Sequence, residues 1–433
     1  MKMDFTSSSS KVLDIDGFQV RAWEGITYCE KPVSPVQRLN LYAPESYFHD
    51  GTLNGYDVRT APVFCPNTVG GYLEGPPLSL TGPWFWPGPD VVIAALKHGY
   101  VVVCVGIRGR NSSCGHAPAL IIDMKASIRL LRHNRIPGNT DRIVTSGTSA
   151  GGALSALAGA TGNHPDYEPF LREIGAAEER DDVFAANCYC PIHNLENADT
   201  AYEWMFGDEG LLTSEQREVS FALRKLFPAY VNSLGLSDEN GRPLRLKAAG
   251  SGSFLDYIAG EVVRSARVEE TRALAEGSFL LREGRQITGI DWQTYIHTIG
   301  RMKSPPAFDK PDLSSWENDE FGGKHFAAFS VKHDHGNRQA DPGIIKMMNP
   351  THYIGKADTA PHWRIRHGTC DRDTSLAIPV ILSLLLKKSG YDVDFLLPWG
   401  MPHCGDYDLD KMFDWIDGLC QGRIGTDSKE ISQ

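Results

Sequence analysis

The chain has 433 residues, 41% hydrophobic and 22% charged, which suits one large α/β domain with an insertion or two to three small domains. A formal net charge of −11 speaks against a nucleic-acid partner held through phosphates. The longest apolar run, residues 376–386, is too short to span a bilayer and contains Pro379, so no membrane association is expected.

The opening MKMDFTSSSSKVLDID carries no apolar signal core, so a cytoplasmic location is expected. The nine cysteines form no C-x2-C pair, and free thiols are the expectation in a reducing compartment. Through residues 1–194 apolar strands and helices alternate. PVQRLNLYAP and TAPVFCP read as strands, GYVVVCVGIRGR as a buried parallel strand closed by a glycine turn, and IIDMKASIRLLRHNR as a helix. DRIVTSG is a short strand, GGALSALAGA a helix of small residues, and DDVFAANCYCP a further strand. This rhythm predicts a mostly parallel sheet with helices on both faces.

From residue 195 to 349 the alternation gives way to a mostly helical segment with only weak strand candidates. TSEQREVSFALRKLFPAYV opens on a capping-box pattern, Thr213 and Gln216, and SGSFLDYIAGEVVRSA and DWQTYIHTIGRM also read as helices. The alternation resumes over 350–433 with HWRIRHG, SLAIPVILSLLLKKSG, YDVDFLLPWG and YDLDKMFDWIDGLC, and the tail after Cys420 reads as a frayed end. The expected organisation is one α/β domain made of 1–194 and 350–433, interrupted by a helical lid.

Gly147-Thr148-Ser149-Ala150-Gly151 is a G-x-S-x-G pattern between a strand and a helix of small residues. A nucleophile elbow needs that setting, because the residues two before and two after the serine must be small for strand and helix to approach. Serine attacks only when a histidine takes its proton and a carboxylate orients the histidine. In the α/β-hydrolase order, serine then acid then histidine, Asp371 follows the strand HWRIRHG and His403 follows VDFLL. The oxyanion needs two backbone N–H groups. Ala150 is one candidate, and the loop PNTVGGYLEG, with Gly70 and Gly71, offers the other.

At these residues the chain resembles the bacterial tannases, serine esterases that hydrolyse gallate esters. PNTVGGYLEG, GIRGR, GTSAGGALSALAGA, YCPIHNLENAD, AYEW, RMKSPPAFD, HWRIRHGTCDRDTS, PWGMPHCGDYDL and WIDGLCQ look like that family's blocks, in order through almost the whole chain. The resemblance implies an α/β-hydrolase fold with a large inserted lid, Ser149, Asp371 and His403 as the triad, and Gly71 and Ala150 as the oxyanion hole. It implies that Lys303, Glu317 and Asp373 hold the phenolic hydroxyls and that Ile192 walls the ring. Trp316 stands where this resemblance would put proline, so the ring slot is expected to be narrower or reshaped.

The implied partner is a small gallate or related phenolic ester. No metal or organic cofactor is implied, since nucleophile, base and electrostatics come from the triad. Two further readings are a hydroxycinnamate (ferulate-type) esterase with the same triad, and a non-catalytic α/β-hydrolase homologue. Cys370 and Cys404 flank Asp371 and His403, so a bridge between them is one arrangement if those loops meet, with free thiols favoured.

Overall fold

The computed structural model describes residue 5 and residues 10–81, 90–334 and 336–422; the tail expected to fray lies, beyond Gly422, outside the described residues. Among the described residues eleven strands form: β1 (Lys11–Ile15), β2 (Phe18–Thr27), β3 (Arg38–Pro44), β4 (Pro62–Pro66), β5 (Val101–Val105), β6 (Asn139–Thr148), β7 (Ala185–Tyr189), β8 (Leu280–Glu283), β9 (Gln286–Ile290), β10 (His362–Arg366) and β11 (Asp392–Leu396). Nine of them make one sheet in the order β1-β2-β3-β5-β4-β6-β7-β10-β11. β1, β2, β3 and β5 pair antiparallel, and every pairing from β5 through β4 to β11 is parallel. The fold is the α/β-hydrolase type. β4, β5 and β7 are buried at every residue, which is why they read as continuous apolar runs: helices cover both faces of a parallel sheet.

β4 lies between β5 and β6, so the strand order reverses there. In open α/β sheets the ligand crevice forms at such a reversal, beyond the carboxyl ends of the strands. The loops after β4, β6, β7, β10 and β11 all emerge on that edge and carry the residues considered below.

Two features went unread in the sequence. β1 and β2 form a hairpin turned by Asp16 and Gly17, both at positive φ, the Asp-Gly signal of a tight turn. β8 and β9 form a second hairpin inside the helical segment; Arg282, Glu283 and Gln286 are exposed, which leaves little apolar alternation to detect. Thr213 and Gln216 do make the reciprocal capping box, and that helix stops at Arg224, with a second, Phe227–Ser233, starting just ahead of Pro228. Among the described residues no helix is long and apolar enough to cross a membrane.

The helix Ala150–Ala160 that follows β6 is anchored at its far end by a buried ion cluster. Lys125 Nζ donates to Thr161 O and to Asp181 Oδ1, both at 2.7 Å, and Arg129 Nε donates to Asp181 Oδ2 at 2.8 Å. Lys125 and Asp181 are both buried. Removing one partner strands the other's charge away from water. Asp181→Ala is therefore expected to lower unfolding stability by about 3–5 kcal/mol in a urea titration; a loss no larger than a surface substitution gives would show that Lys125 finds other compensation.

Candidate active site

Ser149 has φ 62° and ψ −122°, a conformation L-residues avoid. Its backbone is clamped: its N–H donates to Tyr189 O at 3.0 Å, and its carbonyl accepts from Ala153 N at 2.9 Å and Ile192 N at 3.2 Å. Glycine is required on both sides. A Cβ on Gly147 would collide with the Asn67 amide and the Gly151 carbonyl, and one on Gly151 with Asn67 Oδ1 and, at 2.8 Å, Val69 O. Asn67 is the brace between them. Its Nδ2 donates to Ser146 O at 2.9 Å and Gly151 O at 3.0 Å, while its Oδ1 accepts from Val69 N at 3.3 Å. The loop after β4 is thereby fixed to the serine turn.

The loops after β10 and β11 are stitched together. Cys370 N donates to Met401 O and Thr369 N to Pro398 O, both at 3.0 Å, and Gly400 N donates to Thr369 Oγ1 at 2.7 Å. This sets His403 Nδ1 2.7 Å from Asp371 Oδ2. Asp371 is fully buried; its Oδ1 accepts from Asp373 N at 2.8 Å, and His367 Nε2 stands 3.6 Å from its Oδ2. Burial works against the Asp371 charge, but His367, His403 and the Asp373 N–H outweigh it and hold the carboxyl below its ordinary value. Burial likewise disfavours an imidazolium at His403, yet its bond and charge contact with Asp371 raise its pKa. His403 and Ser149 line the same cavity. Among the described residues no hydrogen bond yet joins them, and such catalytic bonds commonly tighten only with substrate present.

Cys190 Sγ lies 4.0 Å from His403 Nε2 and donates to Cys404 O at 3.4 Å. Cys190, Asp371 and His403 offer ligand atoms within 4.8 Å of one another. Burial, however, pushes the Cys190 thiol well up, and a protonated thiol beside an already bonded carboxylate–imidazole pair is a poor cation cage. All nine cysteines are free, so Cys370 and Cys404 are not bridged. The Cys370 thiol interacts with Thr369, Arg272 and Glu276, whereas that of Cys404 interacts with Asp371.

The cavity, of about 490 Å³, brings together Ser149, Ala150, Gly71, Ile192, Lys303, Trp316, Glu317, Asp373 and His403. Ala150 opens the helix after the serine, where its N–H has no partner within the helix. Gly71 has φ +52°, and its carbonyl accepts from Arg110 Nε at 2.7 Å. Lys303 Nζ donates to Asp373 O at 2.7 Å and lies 3.7 Å from Asp373 Oδ1. Glu317 is buried, and burial raises its pKa against the opposing pull of Lys303 and Arg110. Trp316, by contrast, is 60% exposed.

Sequence reasoning missed what holds the ring-side residues in place. Tyr202 Oη accepts from Met302 N and Lys303 N, both at 3.0 Å, and donates to Arg372 O at 3.1 Å. Asp309, fully buried, accepts from Asn318 Nδ2 at 2.7 Å, Phe326 N at 3.0 Å and Ala327 N at 2.6 Å, which pins the short helix Trp316–Glu320. Met302, Ser304, Ala307, Lys310 and Ser314 also line the cavity and were not singled out. They sit in irregular loops, where no periodicity marks a facing residue.

Comparison with known proteins gives a consistent picture. The family described as BD-FAE matches residues 88–198. The esterase LipQ of Mycobacterium tuberculosis is 34% identical over 105 residues, 24% of either chain, so the chain matches that curated relative over about a quarter of its length. Solved structures align far more completely. A tannin acyl hydrolase in complex with ethyl gallate is 44% identical over 95% of this chain and 97% of its own, with a TM-score of 0.92. The tannase of Lactobacillus plantarum is 43% identical over 95% and 98%, with a TM-score of 0.90. The tannase of Fusobacterium nucleatum is 42% identical over 97% and 99%, again at 0.90.

The geometry makes two outcomes testable without any substrate. In an NMR titration the His403 imidazole is expected to keep its proton above the ordinary pKa of about 6.5, and Asp371→Asn is expected to bring that value down. A His403 pKa that Asp371→Asn leaves unmoved would mean the 2.7 Å contact does not persist in solution. Gly151→Ala is expected to be poorly folded or to unfold at a clearly lower temperature than the parent, because the new methyl meets the hydrogen-bonded Asn67 side chain and the Val69 carbonyl.

Proposed function

The chain belongs to the tannase family, and on that premise we propose that it is a serine esterase hydrolysing galloyl ester bonds, releasing gallic acid from gallate esters and hydrolysable tannins. One observation carries this reading: Lys303, Glu317 and Asp373 converge on the cavity that Ser149 and His403 line. An ordinary carboxylesterase has no use for two carboxylates and an ammonium beside its acyl group. Adjacent phenolic hydroxyls do, because carboxylates accept from them in charge-assisted bonds while an ammonium donates to a phenolic oxygen.

In the proposed cycle, Ser149 Oγ attacks the ester carbonyl while His403 Nε2 takes its proton. Asp371 holds the imidazole by Nδ1 and stabilises the imidazolium. The N–H groups of Ala150 and Gly71 receive the oxyanion. The alcohol leaves with the proton from His403, giving galloyl-Ser149. A water then repeats the attack with His403 as base, and gallic acid departs. Ile192 walls the ring. Residues 195–349 act as a lid whose loops bring Lys303, Trp316 and Glu317 over the serine. A cytoplasmic location goes with this reading, since nine free thiols suit a reducing compartment.

Four esters test it: methyl gallate, methyl protocatechuate, methyl ferulate and methyl benzoate. Efficient turnover is expected only for the first two, which carry adjacent free hydroxyls, with slow residual hydrolysis of the others. Efficient hydrolysis of the benzoate would remove the role given to Lys303, Glu317 and Asp373, and preference for the ferulate would favour the hydroxycinnamate reading. The two neighbouring aspartates should separate. Asp371→Asn is expected to lower kcat by roughly 10⁴ on every ester turned over. Asp373→Ala should lower kcat/KM roughly 10- to 150-fold on gallates, the worth of a charged hydrogen bond, and far less on esters lacking the hydroxyls. Equal losses on all substrates would reject this division.

A further inference from the structure

The cavity has more room than one aromatic ring needs. About 150 Å³ suffices to bind benzene, against about 490 Å³ here. The polar set for the ring is compact, since Lys303 and Asp373 touch each other and Glu317 interacts with both. Two other lining side chains are of different character. Trp316 is 60% exposed and Met302 47% exposed, and both line the cavity. Large apolar side chains that are both solvent-exposed and part of a pocket lining are available to a bound ligand.

Trp316 is also fixed. Its six-membered ring lies against Gly71: a Cβ built on that glycine would stand 3.0 Å from Cε3 and 3.1 Å from Cζ3. The Arg110 guanidinium sits 5.3 Å from the indole centroid, held by Gly71 O at 2.7 Å and Asp319 Oδ2 at 2.9 Å. The indole is thus braced by the same backbone that is proposed to meet the oxyanion, at the level where the scissile ester bond would lie. Glu317, the next residue, is buried, so consecutive residues of one short helix turn one side chain into the protein and the other to the mouth.

We propose that Trp316, with Met302, forms a leaving-group subsite for a flat aryl group, so that this chain favours galloyl esters of phenols over those of simple alcohols. The proposal rests on the galloyl-esterase reading above. An aromatic face offset-stacks on indole, and a thioether adapts to the ring edge.

The test is kcat/KM of the parent and of Trp316→Ala, Trp316→Phe and Met302→Ala on phenyl gallate, methyl gallate and glucosyl gallate. Comparing each variant's loss between substrates cancels the greater intrinsic reactivity of an aryl ester. Trp316→Ala is expected to lose about three- to tenfold more on phenyl gallate than on methyl gallate, with Trp316→Phe keeping most of the preference and Met302→Ala shifting it the same way. Equal loss on phenyl and methyl gallate, or the largest loss on the glucosyl ester, would overturn the subsite while leaving the esterase reading intact. A parent protein that hydrolyses none of the three gallates would sink both. Should Trp316→Ala fail to fold, Met302→Ala and Trp316→Phe supply the same comparison.

Discussion

The left-handed backbone at Ser149 is a conformation of order 1–3 kcal/mol above what a serine prefers, and it persists because three backbone hydrogen bonds and one asparagine leave it no alternative. Much of the site follows from that constraint. The turn lifts the side chain clear of the sheet edge. It forces glycine at 147 and 151, because Asn67 must fit between strand and helix. Asn67 in turn fixes the loop that ends at Gly71, so the geometry of the nucleophile and of its neighbouring amides is set by one side chain rather than by separate supports.

A second layer rests on buried polar groups between β7 and β10. Tyr202, Asp309 and the Arg301–Glu203 pair join loops that would otherwise run free over the sheet edge, and they present Lys303 and Glu317 to the cavity. Such networks are costly when any member lacks a partner, which is why they specify one arrangement so sharply. Asp199 illustrates the tension: it accepts from Phe308 N at 2.7 Å and Asp309 N at 3.0 Å, yet full burial still pushes its carboxyl up to about 7. A group poised there loses its charge readily, and the loop that carries Lys303 is tied to it through the chain.

The parallel core was legible because burial on both faces leaves continuous apolar runs such as VVVCV, and because small residues around Ser149 have few other reasons to follow a strand. The order of Ser149, Asp371 and His403 was legible because each follows a strand directly, so local punctuation carried long-range information. The ring-side residues were not legible from pattern. Lys303 and Glu317 look like surface charges until distant loops enclose them, and only family resemblance marked them. Asn67, Tyr202 and Asp309 work through bonds to segments up to 170 residues away in the chain, a kind of contact that leaves no periodic trace. The β1–β2 hairpin is a different case, since its Asp-Gly turn was in plain view.

The N–H of Asp373 donates to the carboxylate of Asp371. One peptide unit thus belongs both to the loop that faces the acyl ring and to the hydrogen-bond shell of the residue behind the base. A lineage adapting to other acyl groups could therefore exchange Glu317 with little disturbance to the reaction machinery, whereas Lys303 also holds the Asp373 carbonyl. A change at 373 that moved its backbone would alter reactivity and selectivity at once. Evolutionary variation in substrate range should accordingly concentrate in the segment between β7 and β10, and the aspartate pair should change together or not at all.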